Sequence, residues 1–600
     1  MHLENMEYSR QMTPTYNNQW YLNKTKVPYA WDIVHGNSCI IVAILDSGTD
    51  WLHEDLGNGS DNFNNIWHNP SEDAWSVYYD PTTGNGIDDD GNGFIDDWIG
   101  WDFANQDNNS RSTINSHGTQ VSGIVSAKSN NNTGIAGLAG GNNSKGVMLM
   151  PLLIGETNPN SSVIDDAILY AVNNGAQVIQ MSLGVPQSNA IDSAIQVAEN
   201  ANVTIVCAAG NNSSSTVDYP ASNVNVIAVG STNQNDQKSD FSNYGSNLFI
   251  AAPGEDIYST TLFDNYVYGT GNSFAAPQVS ATIALMKQIN PIISNQQIRN
   301  VFQNTADKVG GYTYTNGRSN ELGYGRLNVY NAVVAVSPYI TGFSPVCTSS
   351  STFTLRNRPS GTTVNWTNSS NLSYVSGQNT DNYTVKAAPL ASDAGWVQAT
   401  ISGSCGDVTI RKDDFWVGNP GQPITDPSGY PTYQMSLGQI KAILVVSGPG
   451  LPYQYIWTVT GSIEKISEGD VHCTVEATTT GWGNFYVKSR NECGYSATGG
   501  GSVNVSSGGG GGVNPLSVSP NPANQTITVE LKDTLATATT EKANEGFTVK
   551  LLNSYNKPVY QKKVKSKRFT INVSRYRAGI YYLQVIKGNK VYAEKVVITD

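Results

Sequence analysis

Between residues 20 and 337, short hydrophobic runs alternate with segments whose hydrophobic residues recur at helical spacing. The runs cover residues 39–45, 147–154, 177–183, 203–209 and 224–229, and the helical patterns include residues 163–173 and 191–200. Continuous apolar strands separated by amphipathic helices predict a parallel sheet covered by helices on both faces. Binding sites in such sheets form at the carboxyl ends of the strands, so polar residues that follow these runs are the first functional candidates.

Beyond residue 338 the pattern changes to short β-branched and aromatic runs separated by Gly, Asn, Pro and Ser, without a helical period. This pattern is typical of small β-sandwiches, so we expect three β-sandwich-type modules after the α/β domain. A Ser- and Gly-rich stretch at residues 506–512 predicts a flexible linker before the last module. The predicted domains are residues 20–337 for the α/β domain and residues 339–418, 419–505 and 513–600 for the β modules.

The chain has 600 residues and a net charge of −13, which is unevenly distributed. Residues 513–600 contain 14 Lys+Arg against 6 Asp+Glu, so the rest of the chain is strongly acidic. An acidic surface repels phosphate groups, which argues against nucleic acid as a partner. No hydrophobic run has the length of a transmembrane segment. The first residues lack the features of a signal peptide, so we expect a trimmed N-terminus.

Six cysteines are distributed over the α/β domain and the two middle modules. Their spacing predicts one disulfide bond inside each middle module, Cys347 with Cys405 and Cys473 with Cys493, which fits an oxidising compartment. Cys39 and Cys207 lie in hydrophobic runs without a spaced partner. We therefore expect both to be buried, unreactive thiols.

An acid, a base and a nucleophile occur in the order Asp46, His117, Ser273, each beside glycine. Peptide hydrolysis needs a hydroxyl group, a histidine that takes its proton, and a carboxylate that orients the histidine. Ser273 precedes a helical pattern at residues 274–290, and the positive end of a helix favours a developing oxyanion. Each residue alone would be interpreted as a turn or cap residue, but the combination favours a catalytic triad.

These segments resemble the motifs of the subtilisin-like serine proteases, the subtilases. The family's nucleophile motif, Gly-Thr-Ser-Met-Ala-x-Pro-His-Val, corresponds to Gly271-Asn272-Ser273-Phe274-Ala275-Ala276-Pro277-Gln278-Val279. The base motif, His-Gly-Thr-His-Val, corresponds to His117-Gly118-Thr119-Gln120-Val121. The chain differs from these motifs at Asn272, Gln278 and Gln120, and none of these is a reacting residue. The resemblance covers residues 20–337 and implies the subtilisin-like α/β fold.

The resemblance also implies roles for residues that follow two predicted strands. Asn211, in Ala208-Ala209-Gly210-Asn211, corresponds to the side-chain donor of the oxyanion hole. Ser182, Leu183, Gly184 and Gly210 correspond to backbone that binds an extended peptide substrate. Asp218 falls in the segment that forms the floor of the primary specificity pocket, where many relatives have Gly. It would favour Lys or Arg before the scissile bond; the alternative is a carboxylate turned to solvent.

A loop at residues 88–97 has the composition of a calcium site. Oxygen ligands at alternate positions followed by Gly fit part of an EF-hand loop, although its twelfth position lacks the required Glu. The predicted ligands are Asp88, Asp90, Asn92, the Phe94 carbonyl, Asp96 and Asp97. The alternative is a hydrated acidic loop. The family resemblance implies a second Ca²⁺ site at Asp55 and Asn131.

The C-terminal residues resemble the sorting domain of the type IX secretion system. The likeness rests on Ser519-Pro520-Asn521-Pro522-Ala523, Gly579-Ile580-Tyr581-Tyr582-Leu583 and Lys595-Val596-Val597-Ile598. It implies the type IX machinery as a partner, and a protein that is secreted or attached to the outer-membrane surface. The two middle modules resemble immunoglobulin-like and PKD-like modules.

Together these features predict a secreted, monomeric serine endopeptidase that acts on protein or peptide substrates through an Asp-His-Ser triad and an acyl-enzyme. The alternative is a catalytically inactive subtilase scaffold that serves as a surface adhesin through its β modules. The presence of Asp46, His117, Ser273 and Asn211 favours the peptidase.

Overall fold

The computed structural model describes residues 18–57, 64–77, 79–425, 432–436, 440–447, 454–468, 472–507, 516–520, 523–531, 547–552, 558–576, 579–587 and 590–599. Most of the predicted linker (508–512) lies outside the described residues, as do Asn521 and Pro522 of the C-terminal motif. No α-helix among the described residues is long and apolar enough to cross a membrane.

The N-terminal part of the chain forms the predicted parallel sheet, which has seven strands in the order β2-β3-β1-β4-β5-β6-β7. Its strands are β1 (Ile41–Asp46), β2 (Trp101–Asp102), β3 (Met148–Leu153), β4 (Val178–Met181), β5 (Thr204–Ala208), β6 (Val226–Thr232) and β7 (Ile250–Pro253). Five of these coincide with the hydrophobic runs of the sequence. A hairpin of β8 (Ile257–Thr261) and β9 (Asn265–Gly269) follows the sheet.

Helices cover both faces of this sheet. They are α1 (Trp20–Lys24), α2 (Val27–Ala30), α3 (His117–Ser126), α4 (Ile164–Asn173), α5 (Asn189–Asn200), α6 (Asn272–Ile289), α7 (Asn295–Thr305) and α8 (Val329–Val336). The side chains of β1 alternate between two cores: Val42 and Ile44 pack with residues of α3 and α6, whereas Ala43 and Leu45 pack with residues of α4 and α5. Both faces of the central strand are therefore buried, as its uninterrupted hydrophobic sequence predicts.

The remainder of the described chain forms pairs of mostly antiparallel sheets, which confirms the predicted β-sandwich-type architecture. The first pair contains β10 (Tyr339–Thr341), β11 (Ser351–Arg356), β12 (Thr363–Asn368), β13 (Leu372–Ser376), β14 (Asn382–Ala387), β15 (Ser392–Gly403) and β16 (Gly406–Gly418). The second contains β17 (Ile424–Thr425), β18 (Thr432–Ser436), β19 (Ile440–Ser447), β20 (Gln454–Gly461), β21 (Ile463–Glu468), β22 (His472–Ala477), β23 (Gly481–Asn491), β24 (Gly494–Tyr495) and β25 (Gly499–Ser506). The third contains β26 (Leu516–Ser519), β27 (Thr526–Leu531), β28 (Phe547–Leu552), β29 (Pro558–Val564), β30 (Arg568–Asn572), β31 (Gly579–Lys587) and β32 (Lys590–Ile598).

The predicted cysteine pairing is wrong. Cys39 is bonded to Cys405 and Cys347 to Cys493, so neither bond joins two cysteines of one module. Cys39 is consequently not a free thiol, and Cys473 is a buried free thiol instead of a partner of Cys493. Cys207 is buried and free, as predicted. Spacing along the chain favoured partners in the same module, whereas the actual partners approach only when neighbouring modules pack together.

Candidate active site

Asp46 is the last residue of β1, at the carboxyl end of the central strand. Its Oδ1 atom accepts a hydrogen bond from the Ser47 backbone N–H at 2.7 Å, and the same atom lies 2.7 Å from Nδ1 of His117. The carboxylate is almost completely buried, with 5% of its side chain exposed. The strand therefore holds one defined carboxylate oxygen against the imidazole ring.

His117 is the first residue of α3, and the helix starts close to the loop that follows β1. Gly118 permits this approach, because a methyl group on its Cα would come within 2.2 Å of the Gly48 carbonyl oxygen. The Gly118 N–H also donates to Oγ of Ser47 at 3.1 Å. The negative charge of Asp46 raises the pKa of His117, against the opposing effect of burial.

Ser273 is the second residue of α6 and is 8% exposed. Its backbone carbonyl accepts a hydrogen bond from Oγ of Ser182 at 2.9 Å, which ties the start of α6 to the end of β4. In the described chain the Ser273 hydroxyl makes no hydrogen bond to His117. The adjacent Phe274 ring lies 5.8 Å from the His117 ring, so the two helix starts are neighbours. Catalytic hydrogen bonds are commonly long before a substrate binds.

Asn211 follows β5 and lies beside the start of α6. Its Oδ1 atom accepts a hydrogen bond from the Asn272 backbone N–H at 2.9 Å, and the Asn272 side chain donates to the Gly210 carbonyl. Because Oδ1 of Asn211 accepts the hydrogen bond from the Asn272 N–H, the NH₂ group of the same amide is left available as a hydrogen-bond donor. Asn272, one of the departures from the family motif, therefore links the nucleophile segment to the segment of Asn211.

The predicted specificity residues lie together around one carboxylate. A Cβ atom added to Gly184 would lie 3.4 Å from Oδ2 of Asp218. A Cβ atom added to Gly210 would lie 2.1 Å from the same oxygen. Oδ1 of Asp218 accepts a hydrogen bond from Nδ2 of Asn243 at 3.0 Å. Leu183 is buried beneath this region. Asp218 thus lies against both glycine segments, and partial burial raises its pKa.

The acidic loop gathers only part of the predicted calcium ligands. Oxygen atoms of Asp88 and Asp90 lie within 4.8 Å of each other and of a Glu72 carboxylate oxygen. Asn92 donates to Asp90 and to Asp97 at 3.1 Å each, so both lie next to this cluster. Glu72 is missing from the sequence-based ligand set because it lies 16 residues before Asp88, outside the loop motif.

Two other carboxylates predicted as ligands, Asp96 and Asp97, accept protein hydrogen bonds, and the ring and N–H of Phe94 also have protein partners. Oδ2 of Asp96 accepts the Gly86 N–H at 2.9 Å, and its buried Oδ1 atom has no hydrogen-bond partner among the described residues. The Phe94 ring packs against aromatic residues of the core, and its N–H donates to Asn92 at 2.7 Å. Asp97 accepts hydrogen bonds from the side chains of Asn69, Asn92 and Tyr170.

Glu72 has the features expected of a cation ligand. It is 7% exposed, and its buried Oε2 atom has no hydrogen-bond partner within the part of the chain that the structure describes. Burial, together with the charges of Asp97 and Asp90, raises the pKa of Glu72 to about 7. Calcium prefers clustered carboxylate and carbonyl oxygens, so the donor set of Glu72, Asp88 and Asp90 fits this ion.

Asp55 and Asn131 are also brought together. Nδ2 of Asn131 donates to Oδ1 of Asp55 at 2.9 Å, and the Ile135 N–H donates to Oδ2 at 2.8 Å. Burial raises the pKa of Asp55 to about 7. Because both carboxylate oxygens accept protein hydrogen bonds, a cation at this position would have to displace these donors.

Comparisons with known proteins match two parts of the chain to known families. The model of the subtilase family matches residues 37–325, and that of the secretion system C-terminal sorting domain matches residues 517–599. A thermophilic serine proteinase of Bacillus sp. (strain AK1) is 36% identical over 317 residues, which are 52% of this chain and 67% of that protein. Thermitase of Thermoactinomyces vulgaris is 34% identical over 317 residues, which are 52% of this chain and 95% of thermitase.

Among solved structures, proteases from Pseudoalteromonas arctica match 54% of this chain and 98% of their own, at 28% identity and a TM-score of 0.41. The identity to thermitase and its coverage show that the chain belongs to the subtilase family and is a subtilisin-like serine protease. The sorting domain indicates a protein that is secreted or attached to the cell surface.

Proposed function

We propose that the chain is a secreted serine endopeptidase whose triad is Asp46, His117 and Ser273. The observation that carries this proposal is the contact of 2.7 Å between Nδ1 of His117 and Oδ1 of Asp46, beside the start of α6. A carboxylate at Nδ1 directs the unprotonated Nε2 atom towards the nucleophile and stabilises the imidazolium that forms.

The proposed reaction proceeds in two steps. Ser273 Oγ attacks the peptide carbonyl while His117 takes the hydroxyl proton, and the carbonyl oxygen becomes an oxyanion bound by Asn211 Nδ2 and the Ser273 N–H. The C–N bond breaks as His117 returns the proton to the leaving amine, which leaves an acyl-enzyme. Water, deprotonated by His117, then attacks the ester; the bond between the acyl carbon and Ser273 Oγ breaks as His117 returns the proton to Oγ, and the acid product leaves.

We propose that the substrate lies along Ser182, Leu183 and Gly184 and across Gly210 by strand addition. Glycine at position 210 leaves room for the Asp218 carboxylate, because a Cβ atom there would lie 2.1 Å from Oδ2 of Asp218. The Asp218 carboxylate beside both glycines supports a preference for Lys or Arg at this position. The four domains predicted from the sequence remain part of this proposal. Each hydrophobic core in the β region draws its buried residues from one predicted range: residues 340–417 lie within 339–418, 435–505 within 419–505, and 516–598 within 513–600.

We also propose a structural Ca²⁺ ion in the acidic loop, bound by Glu72, Asp88 and Asp90 with Asn92 and Asp97 next to them. The ion would neutralise carboxylates that repel one another, and it would join residue 72 to the 88–97 loop. The buried, unpartnered Oε2 atom of Glu72 supports this site. The paired oxygens of Asp55 give weaker support to a second Ca²⁺ site with Asn131.

A fluorophosphonate probe that reacts only with activated serines tests the catalytic proposal. We expect labelling of the full chain, loss of labelling in Ser273→Ala, and normal labelling in Ser193→Ala, which changes an exposed serine of α5. Folded protein that is not labelled, or labelling that persists in Ser273→Ala, would support the inactive adhesin instead.

A further inference from the structure

The β8–β9 hairpin is fastened to two of the segments that carry the triad. Oγ of Ser259 donates to the Gln120 carbonyl at 2.6 Å, and Oγ1 of Thr260 donates to the Thr119 carbonyl at 2.7 Å. These bonds hold the first turn of α3, which begins at His117. The Phe263 N–H donates to Oδ2 of Asp50 at 3.0 Å, in the loop that follows Asp46. The hairpin therefore supports the acid and base segments from one side.

The third segment meets the hairpin through Phe274, the residue after the nucleophile. A methyl group on Gly269, the last residue of β9, would lie 2.4 Å from Cζ and 2.6–2.7 Å from both Cε atoms of the Phe274 ring. The ring thus lies directly on the Gly269 backbone. The ring also belongs to the hydrophobic core and lies next to the His117 imidazole, at 5.8 Å between centroids and an interplanar angle of 60°. Phe274 is 6% exposed and fills the space between the hairpin and the base.

The imidazole of His117 needs more than one contact to keep its orientation. Asp46 binds Nδ1, but a hydrogen bond at one atom leaves the ring free to tilt about that atom. The His117 side chain is 32% exposed, so part of the ring has no packing neighbour. A general base must keep its second nitrogen directed at the nucleophile during each proton transfer.

We propose that Phe274 is a positioning residue for His117, with Gly269 as the surface on which its ring rests. The ring limits the tilt of the imidazole and so keeps Nε2 directed towards Ser273. This inference depends on the proposed catalytic function. This role explains why residue 269 is glycine, because any side chain at this position would push the Phe274 ring towards His117.

A pair of substitutions separates this role from a purely structural one. Gly269→Ala drives the Phe274 ring towards His117, and Phe274→Ala removes the ring. We expect each variant to lower kcat by about 10- to 100-fold with KM changed less than about twofold, since a misplaced catalytic group slows the chemical step more than substrate binding. In the double variant the added methyl group has space, so Gly269→Ala causes no further loss in the Phe274→Ala background.

Val267→Ala is the matched control, because Val267 lies on the same strand and is 39% exposed. We expect it to retain the kcat and KM of the parent chain. Phe274→Leu keeps a bulky side chain without the aromatic ring, so its kcat should lie between that of Phe274→Ala and that of the parent chain. It also serves as the test variant if Phe274→Ala does not fold. Melting curves check that every variant is folded.

Two results for the single variants would overturn the inference. One is an unchanged kcat in folded Phe274→Ala or Phe274→Leu, and the other is a rise in KM at constant kcat, which would make the ring part of the substrate-binding wall. Additive losses in the double variant would equally contradict the contact. Failure of the proposed function is a separate outcome, because the unmodified chain would then show neither peptide hydrolysis nor probe labelling.

Discussion

Cys39, which lies two residues before the strand that ends in Asp46, is bonded to Cys405 in the turn between β15 and β16. The Asn37 side chain donates to the Cys405 carbonyl at 3.0 Å beside this bond. A second bond joins Cys347 to Cys493, at the turn between β23 and β24. The two bonds connect three successive parts of the chain, from the α/β domain through the first pair of β sheets to the second.

The first disulfide bond should stabilise the chain strongly, because it closes a loop with a sequence separation of 366 residues. We expect Cys39→Ser/Cys405→Ser to lower the free energy of unfolding by about 2 to 5 kcal/mol, mainly because the unfolded chain gains freedom. Dithiothreitol should lower the melting temperature of the parent chain, and less so that of the variant.

Cys473→Ala is the control for this experiment. Because Cys473 is a free thiol, its loss should leave the effect of dithiothreitol unchanged. Peptide mapping without reduction should recover fragments that contain both Cys39 and Cys405. A fragment linking Cys347 to Cys405 would contradict the observed pairing.

The features that sequence predicted correctly depend on local patterns. The strand before Asp46 is recognisable because a buried parallel strand is hydrophobic at every position, and α6 because a helical pattern follows Ser273. The Cys39–Cys405 bond was not predictable, since it depends on how an α/β domain packs against a β module. Glu72 was missed for the same reason: its position near Asp88 arises from the path of the chain between them.

The contact between Asp46 and His117 should appear in the pH dependence of hydrolysis. The Asp46 charge raises the pKa of His117 above its ordinary value of 6.5, and His117 must be neutral to act as a base. The acidic limb of kcat/KM for an uncharged peptide should therefore have its midpoint above pH 6.5. In Asp46→Asn the midpoint should move to lower pH while kcat falls by about 10⁴-fold. Asp107→Asn, which removes an exposed charge, should change neither quantity.

We expect the Asn211 side-chain amide to raise the rate of the chemical step, kcat, more than it strengthens substrate binding. Asn211→Ala removes one oxyanion donor, so we expect kcat to fall by about 10²- to 10³-fold with little change in KM. Asn212→Ala is the matched control, since the neighbouring side chain is exposed and only its backbone N–H contacts Asn243. Steady-state kinetics on one peptide substrate measure both variants. A fall confined to KM would mean that Asn211 binds the ground state instead.

The Asp218 carboxylate should set the residue preferred before the scissile bond. We expect peptides with Lys at that position to be cleaved with a higher kcat/KM than matched peptides with Phe, and Asp218→Asn to lower this ratio by about 10-fold or more. Asp240→Asn, which removes an exposed charge outside the pocket, should keep the ratio. A preference for Phe that Asp218→Asn leaves unaltered would mean that the carboxylate does not reach the substrate.

The ratio of kcat/KM for the Lys peptide to kcat/KM for the Phe peptide should depend on pH. Burial raises the pKa of Asp218 above its ordinary value of 3.8, so the charged form that attracts Lys predominates above this raised pKa and is lost as pH falls through it. The Lys-to-Phe ratio should therefore decrease on acidification. The protonation of His117 affects both peptides equally and cancels from the ratio.

Removal of calcium should destabilise the acidic loop through Glu72. A ligand that binds only the folded chain stabilises it by RT ln(1 + [L]/Kd), or about 2.7 kcal/mol at 100 times Kd. We expect EGTA to lower the melting temperature of the parent chain, and added Ca²⁺ to restore it. Glu72→Gln keeps the size of the side chain but removes its charge, so it should weaken Ca²⁺ binding and reduce the response to EGTA.

Glu321→Gln provides the control for the loss of one negative charge, because Glu321 lies outside the acidic loop. It should retain the full response to EGTA. Calorimetric titration of the chelated chain with Ca²⁺ measures binding directly, and Asp88→Asn should weaken it as Glu72→Gln does. A second Ca²⁺ site at Asp55 would appear as binding that survives both substitutions and is lost in Asp55→Asn. A melting temperature unaffected by EGTA, with no heat of Ca²⁺ binding, would mean that the loop is a hydrated acidic turn whose Glu72 carboxyl is held by the protein alone.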